Sequence, residues 1–150
     1  MTNTIRPRHS LTVNIDKEQI LNIIYAESSW HCIVHPKEKR LTPDLERICL
    51  TRVKEGFEDF RSRFQGYIYF SNFNPNLDNG NLTIEFRFFN SYPDSLTDTI
   101  REDVTQMLAW FALKRFYGEH ASYYHTAWLK HRASLMISFA RDANFQFLEE

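Results

Sequence analysis

The sequence predicts an α+β fold in which about four helices pack with a long antiparallel β-hairpin and short terminal strands. Helix start signals followed by apolar stripes recur along the chain. One aromatic stretch has the alternation and the turn residues of a hairpin. Helices and strands follow in separate groups instead of alternating, which is typical of this class. The 150 residues suit a single α+β domain over residues 11–150, preceded by a polar N-terminal arm over residues 1–10.

The domain is predicted to begin with a short strand and a helix. Apolar and polar residues alternate over residues 11–15, which indicates a strand. Asp16 is a good helix N-cap, and Gln19 three residues later completes a capping box. The first helix therefore runs from 17 to 34 and ends before Pro36, because the residue before a proline disfavours helical geometry.

A second helix is predicted after Thr42, with Pro43 at its first position. Its apolar residues recur every three or four positions over about 22 residues. Gly66 closes the stripe, and Gly56 inside it weakens the prediction of an unbroken helix. The stripe consists of Leu45, Cys49, Val53, Phe57, Phe60 and Phe64.

The hairpin is the stretch YIYFSNFNPNLDNGNLTIEFRFFN, in which Asn79-Gly80 is a strong turn signal. A tight turn at this pair places Phe73 opposite Phe86 and carries the tip about 13 Å further out. An open loop over 74–81 instead places Phe73 opposite Leu82. Both registers predict the same apolar face, made of Tyr67, Tyr69, Phe73, Leu82, Ile84, Phe86 and Phe88.

Two further helices complete the predicted domain. Ser95 and Asp98, just after Pro93, form a third start signal, and Gly118 ends that helix. A fourth helix is predicted over 120–141. The alternation of apolar residues near the carboxyl end, in NFQF, then predicts a short terminal strand.

Composition and charge disfavour several classes of function. The net charge is −1 and the pI about 6.6, whereas a nucleic-acid-binding protein normally carries a concentrated positive field. There is no apolar run long enough for a membrane span and no signal-peptide pattern, so we expect no membrane contact. Cys32 and Cys49 form no disulfide framework and are expected to be buried thiols. The Gly-rich phosphate loops and the GxSxG motif are missing from the sequence, so we expect no cofactor and no catalytic residues.

The nearest approach to a metal motif is HCIVHPKE. His31 and His35 are four residues apart, so one helical face can present both imidazoles, with Glu38 or a distant residue as the third ligand. The zinc-protease pattern has Glu directly after the first His, where this chain has Cys32. The alternative is that both histidines simply lie at the negative end of a helix, where His is favourable. We expect no metal site.

Three more histidines, His120, His125 and His131, lie in the predicted last helix. Their spacings of five and six do not place them on one helical face. Glu119 beside His120 resembles an acid–base pair, but such a pair needs a third, orienting group. A solvated helix rim explains these residues better.

The ends and the hairpin are the predicted contact surfaces. A tip that carries apolar residues beyond the domain needs a neighbour to cover it. Strand addition to an exposed edge is one way for termini to lie across another subunit. The predicted subunit-interface residues are Arg6, Arg8, Phe73, Leu77, Leu82, Phe86, Phe145 and Phe147.

The segment SLTDTIREDVTQMLAWFALKRFYGEHASYYHTAWLKHRASLMISFARDANFQF resembles small virion proteins of tailed bacteriophages. Those proteins form rings in the neck or tail, as head–tail connector, tail-completion or tail-terminator proteins. The likeness covers residues 42–150 and consists of a helix, an extended hairpin, a helix pair rich in Trp and Tyr, and a short terminal strand. It implies a non-enzymatic homo-oligomeric ring, built from interlocking ribbons and termini.

The resemblance also sets expectations for partners and place. Neighbouring virion proteins would be partners, DNA would be contacted only through the lumen of the assembly, and the protein would be made in the host cytoplasm and reside in the virion. Two other hypotheses remain. One is a small metal-dependent enzyme that uses His31 and His35, or the histidines of the last helix. The other is a cytosolic regulatory module that binds another protein.

Overall fold

The computed structural model describes residues 9–75 and 80–148 of the chain. Four helices pack with a three-stranded antiparallel sheet, which confirms the α+β class. The elements are β1 (His9–Ile15), α1 (Lys17–Val34), a 3-10 turn (Pro43–Leu45), α2 (Glu46–Phe64), β2 (Ile68–Asn72), β3 (Leu82–Phe88), α3 (Asp94–Tyr117), a second 3-10 turn (Gly118–His120) and α4 (Ser122–Leu148).

The sheet has the order β1-β3-β2, so the N-terminal strand lies beside the second strand of the hairpin. Leu11 pairs with Phe86 across β1 and β3, and both outer strands are antiparallel to β3. β1 begins at His9, two residues earlier than predicted. One face of the sheet is apolar and packs on the helices, through Leu11, Val13, Ile15, Leu82, Ile84, Phe86 and Phe88.

The hairpin forms the open-loop register. Ser71 pairs with Ile84, and continuing this register places Phe73 opposite Leu82. The tight-turn register, with Phe73 opposite Phe86, is not formed. The strands have five and seven residues, so the long ribbon that was predicted is shorter in the structure.

The base of the hairpin loop folds back on the domain. Pro75 is buried, and its carbonyl oxygen accepts a hydrogen bond from Lys17 Nζ at 3.2 Å. Lys17 is the first residue of α1, so the chain near residue 75 lies against the start of that helix. Residues 76–79, which include the predicted interface residue Leu77, lie outside the described residues.

A β-bulge reverses the prediction for Tyr69. Ile68 pairs with Phe86 but Phe70 pairs with Glu85, so one extra residue enters β2 between them. Tyr69 is therefore on the outer face, 62% exposed, with the Arg87 guanidinium 3.2 Å from its ring centroid. The alternation rule placed it on the core face because that rule assumes regular pairing.

The predicted terminal strand is wrong, because Phe145 and Phe147 fall within α4. Apolar residues two apart occur in helices as well as strands, and neither Gly nor Pro interrupts the chain after Gly118. Asp142 also holds the end of the helix in place, because its carboxylate accepts hydrogen bonds from the backbone N–H groups of Phe89 and Asn90.

The helix boundaries follow their end signals in most places. The Asp16 side chain accepts from the Glu18 N–H at 3.0 Å, as an N-cap does, and α1 has the predicted bounds. α3 differs, since Pro93 occupies its N-cap position without a side-chain hydrogen bond. The predicted capping box at Ser95 is therefore not formed. Gly118, at φ +32°, ends α3 in a conformation that favours glycine.

α3 is the central helix and packs against α1, α2 and α4. Gly56 explains how closely α2 approaches it, because a Cβ at that position would lie 2.9 Å from Cδ1 of Phe111. The glycine that weakened the prediction of α2 thus has a packing reason. Among the described helices, none combines the length and apolarity that crossing a membrane requires.

Candidate functional site

The structure separates the predicted interface residues into three groups. Phe73, Leu82 and Phe86 are 7%, 0% and 0% exposed, so they belong to the core. Phe145 and Phe147 lie in α4. The remaining three, Arg6, Arg8 and Leu77, lie outside the described residues.

The chain itself covers the core residues of the hairpin. Phe60 of α2 meets Phe86 edge-on, with ring centroids 6.3 Å apart, and Phe57 meets Phe73 in the same way at 5.5 Å. Leu82 is fully buried between the sheet and the helices. A second subunit can therefore reach only other parts of the hairpin.

Among the described residues of the hairpin, the β2 edge is a part that a second subunit can reach. We use this name for Ile68–Asn72, which lie at the outside of the sheet. Tyr69 and Phe70 are 62% and 53% exposed there. A groove of about 560 Å³ runs between β2 and the end of α2, lined by Glu58, Arg61, Ser62, Gln65, Ile68, Tyr69, Phe70 and Ser71. An edge strand with exposed aromatic residues can pair with a strand from another chain.

A second surface lies where α1 and α3 end and α4 begins. We call it the aromatic pocket, and its volume is about 440 Å³. α1 contributes residues three or four apart, which share one helical face. The lining residues are Glu27, Trp30, His31, Val34, His35, His120, Tyr123 and Tyr124.

The wall of the pocket contains the histidines that the sequence singled out. The ring centroids of His31 and His35 are 4.7 Å apart, and His120 stacks on His35 at 4.1 Å. His120 Nε2 lies 3.6 Å from Glu38 Oε1. Among the residues that the structure describes, no three His, Cys, Asp or Glu side chains are arranged to hold a metal ion. The side chain of Glu119, the residue paired with His120 in the sequence, lies outside the described part.

His31 is the most buried of these histidines, at 6% exposure. Its ring stacks on Tyr117 at 3.7 Å, and its Nδ1 forms a 2.9 Å hydrogen bond with the Tyr124 hydroxyl. Its Nε2 is buried without a partner in the described structure. Burial, followed by the neighbouring His35, lowers the pKa of His31, so the ring is neutral near pH 7.

A hydrogen-bond network fixes the chain that follows α1. Tyr117 donates its hydroxyl proton to the Lys39 carbonyl at 2.9 Å, so Ser28 must be the donor in its own hydrogen bond with Tyr117. The Leu41 N–H in turn donates to Ser28 Oγ at 2.6 Å. Cys32 Sγ donates to the Glu38 carbonyl at 3.4 Å, so the thiol is also engaged in this network.

Glu27 is the acidic side chain among the residues that line the pocket. It forms no ion pair with any residue in the described part of the chain. Burial raises the pKa of its carboxyl group. Burial and, second, the charge of Glu27 raise the pKa of Tyr124. A carboxylate beside Trp30, Tyr123 and Tyr124 is suited to binding a cation, since aromatic faces also attract positive charge.

The histidines of α4 have structural contacts. His131 Nδ1 lies 2.9 Å from Asp103 Oδ1, and Ser134 donates to the other oxygen at 2.6 Å. In a hydrolase triad the serine bonds to the histidine, so this arrangement is a different one. It joins α3 to α4. His125 stacks on Trp128, with centroids 5.9 Å apart.

Sequence reasoning singled out His31 and His35 but missed Glu27, Trp30 and Tyr123. One available signal was that Trp30, Ile33 and Val34 broaden the apolar stripe at the end of α1 beyond one face. These side chains are 68%, 69% and 71% exposed. Tyr123 reaches the pocket only through the packing of α4 against α1, which no local pattern indicates.

No protein-family model, curated protein or solved structure matches this chain, so its function is inferred from its own residues.

Proposed function

We propose that this chain is a non-enzymatic structural protein that assembles into an oligomeric ring in the neck or tail of a tailed-phage virion. The observation that carries the proposal is the β2 edge, which exposes two aromatic side chains on an open strand. The order of helix, hairpin and Trp- and Tyr-rich helix pair supports the virion assignment, although the terminal strand of that layout is helical here.

The contact energy available at the β2 edge is substantial. Tyr69 and Phe70 are each more than half exposed, and covering the rest of each ring contributes roughly 1 to 2 kcal/mol. Backbone hydrogen bonds to the open side of β2 add directional specificity. A ring requires that a different segment of the next copy is added to β2, because β2 pairing with itself would close a two-fold dimer.

Light scattering of purified variants tests this proposal. We expect the wild-type chain to have a mass several times its monomer mass of 18.0 kDa. Changing Tyr69→Ser and Phe70→Ser together should shift the mass well below that of the wild type, because the apolar contact at the β2 edge is lost. The matched control is Ile48→Ser, which removes a 43% exposed apolar side chain from α2 and should leave the mass unchanged.

Two results would contradict the proposal. One is a wild-type chain that remains monomeric at every concentration tested. The other is a double variant that assembles as the wild type does while retaining the same thermal unfolding midpoint. Measuring that midpoint for every variant separates loss of assembly from loss of folding.

A further inference from the structure

We propose that the aromatic pocket binds an arginine side chain from the N-terminal arm of a second copy of this chain. The inference rests on the proposed self-assembly, and it names the segment and the site that meet. The arm contributes Arg6 or Arg8. The pocket contributes the Glu27 carboxylate and the faces of Trp30 and Tyr123.

The pocket has the chemistry of a cation site. Glu27 is half-buried and has no ion-pair partner in the described structure. Trp30 and Tyr123 are 68% and 66% exposed, so their faces are free to cover a guanidinium. Arginine stacks on aromatic rings and pairs with carboxylates at the same time, which suits it to this combination better than lysine.

The wall of the pocket also has an unpartnered polar atom. His31 Nε2 is buried, although the side chain of His31 lines the pocket. When the Tyr124 hydroxyl donates to Nδ1, the proton of the neutral ring is on Nε2. Because this atom is sealed from solvent, it does not itself contact the arginine, and the inference rests on Glu27, Trp30 and Tyr123.

The N-terminal arm has the complementary charge. It contains Arg6 and Arg8, and the first acidic residue of the chain is Asp16. Ile5 and Pro7 flank Arg6, so apolar contacts accompany the charge. The exposed side chain of Val34 at the pocket is a matching apolar surface.

An arm cannot reach the pocket of its own chain. His9 lies beside Asp94 and Thr97, at the beginning of α3. Tyr117, which stacks on His31, is at the other end of that helix. The helix rise of 1.5 Å per residue places Thr97 and Tyr117 about 30 Å apart. Arg6 is three residues from His9, a reach of about 10 Å for an extended backbone. The arginine in the pocket must therefore come from another copy.

A peptide titration tests the inference without depending on assembly. The receptor is the full-length R6Q/R8Q variant, which keeps the pocket intact and lacks the competing arginines. The probe is a peptide of residues 1–10, and the control probe is the same peptide with both arginines replaced by glutamine. We expect calorimetry to show at least tenfold tighter binding of the native peptide.

Two receptor variants then locate the site. Adding Glu27→Gln to the receptor should weaken binding of the native peptide at least tenfold. Adding Glu18→Gln, an exposed acid at the other end of α1, should leave it unchanged. Both receptors should have the unfolding midpoint of their parent.

Mixing full-length variants tests whether the contact is between copies. R6Q/R8Q has an intact pocket, and E27Q has an intact arm. We expect each alone to have a lower mass than the wild type, and a mixture of the two to have a higher mass than either variant alone.

The outcomes separate this inference from the proposed ring. Equal binding of both peptides, no binding, or equally tight binding of an acidic peptide overturns the inference, whatever the oligomeric state. Arginine-dependent binding that Glu27→Gln abolishes supports it, even if the wild-type assembly is a dimer or an open chain of copies and the ring proposal fails. A ring that assembles normally from E27Q also overturns the inference and leaves the β2 edge as the contact.

Discussion

The carboxylate of Asp142 joins the end of the helical layer to the chain that leaves the sheet. It is 1% exposed and accepts hydrogen bonds from the backbone N–H groups of Phe89 and Asn90. The Asn90 side-chain amide and the Tyr92 hydroxyl also donate to it. Burial, and then the charge of Asp142, raise the pKa of Tyr92 to about 12. The Asp142 carboxylate thus accepts hydrogen bonds from several polar groups in the segment that follows β3.

Replacing this carboxylate should be costly. We expect Asp142→Ala to lower the free energy of unfolding by about 3 kcal/mol or more, because it leaves several partly buried donors unpaired. The control is Asp98→Ala, which removes an exposed ion pair with Arg101 and should cost less than about 1 kcal/mol. Urea denaturation measures both. A loss at Asp142 no larger than at Asp98 would contradict this role.

His31 makes stability depend on pH in a defined direction. Its pKa is lowered in the folded chain, whereas the unfolded chain has the ordinary value near 6.5. Below pH 6.5 His31 is protonated in the unfolded chain but stays neutral in the folded chain. The free energy of unfolding therefore falls as the pH falls. The free energy of unfolding continues to fall until the pH reaches the lower pKa of His31 in the folded chain. The decrease is no more than about 1.4 kcal/mol per pH unit.

Comparing unfolding at pH 7.5 and pH 5.5 measures this effect. We expect His31→Gln to be less stable than the wild type at pH 7.5, since it loses the ring stack on Tyr117, but to lose less stability on acidification. Exposed His125→Gln should keep the wild-type loss. If the His31→Gln variant and the wild type lose the same free energy of unfolding on acidification, His31 is not the cause of the pH dependence.

The elements that follow local signals were predictable from sequence, and those that depend on pairing were not. α1 begins after its Asp16 cap and has the predicted bounds because both end signals are local. The bulge in β2, which turns Tyr69 outward, depends on the register with β3. The last turns of α4 carried an alternating pattern that a helix also permits. For such elements, the segment that packs against them in the folded chain determines which face is buried and whether the residues are helical or extended.

The contact between α2 and α3 depends on the absence of a side chain at Gly56. Alanine there improves helix propensity by roughly 1 kcal/mol, but its Cβ would lie 2.9 Å from the Phe111 ring. Cγ and Cβ of Phe111 would lie 3.0 and 3.2 Å from the new Cβ, and these atoms are too close to their own backbone to swing away. We therefore expect Gly56→Ala to lower the free energy of unfolding, by about 1 to 3 kcal/mol in a denaturant titration. A more stable variant would show that α2 and α3 can separate without loss.

In addition to the β2 edge, the start of β1 and the aromatic pocket lie at opposite ends of α3. The N-terminal arm precedes His9, which lies beside the start of α3, and the aromatic pocket lies at the end of that helix. A contact between the two is head-to-tail, so every copy can give an arm and receive one. Head-to-tail contacts close into rings when the rotation between copies permits. Sequence reasoning named Arg6 and Arg8 but did not find the aromatic pocket, because the pocket forms only when α1 and α4 pack together.

The stoichiometry of the purified wild-type chain tests the ring most directly, and native mass spectrometry measures it. We predict one dominant species at a fixed integer multiple, greater than two, of the 18.0 kDa monomer mass over a wide concentration range. A monomer at every concentration, a two-fold dimer, or an open-ended ladder of masses would contradict a closed ring.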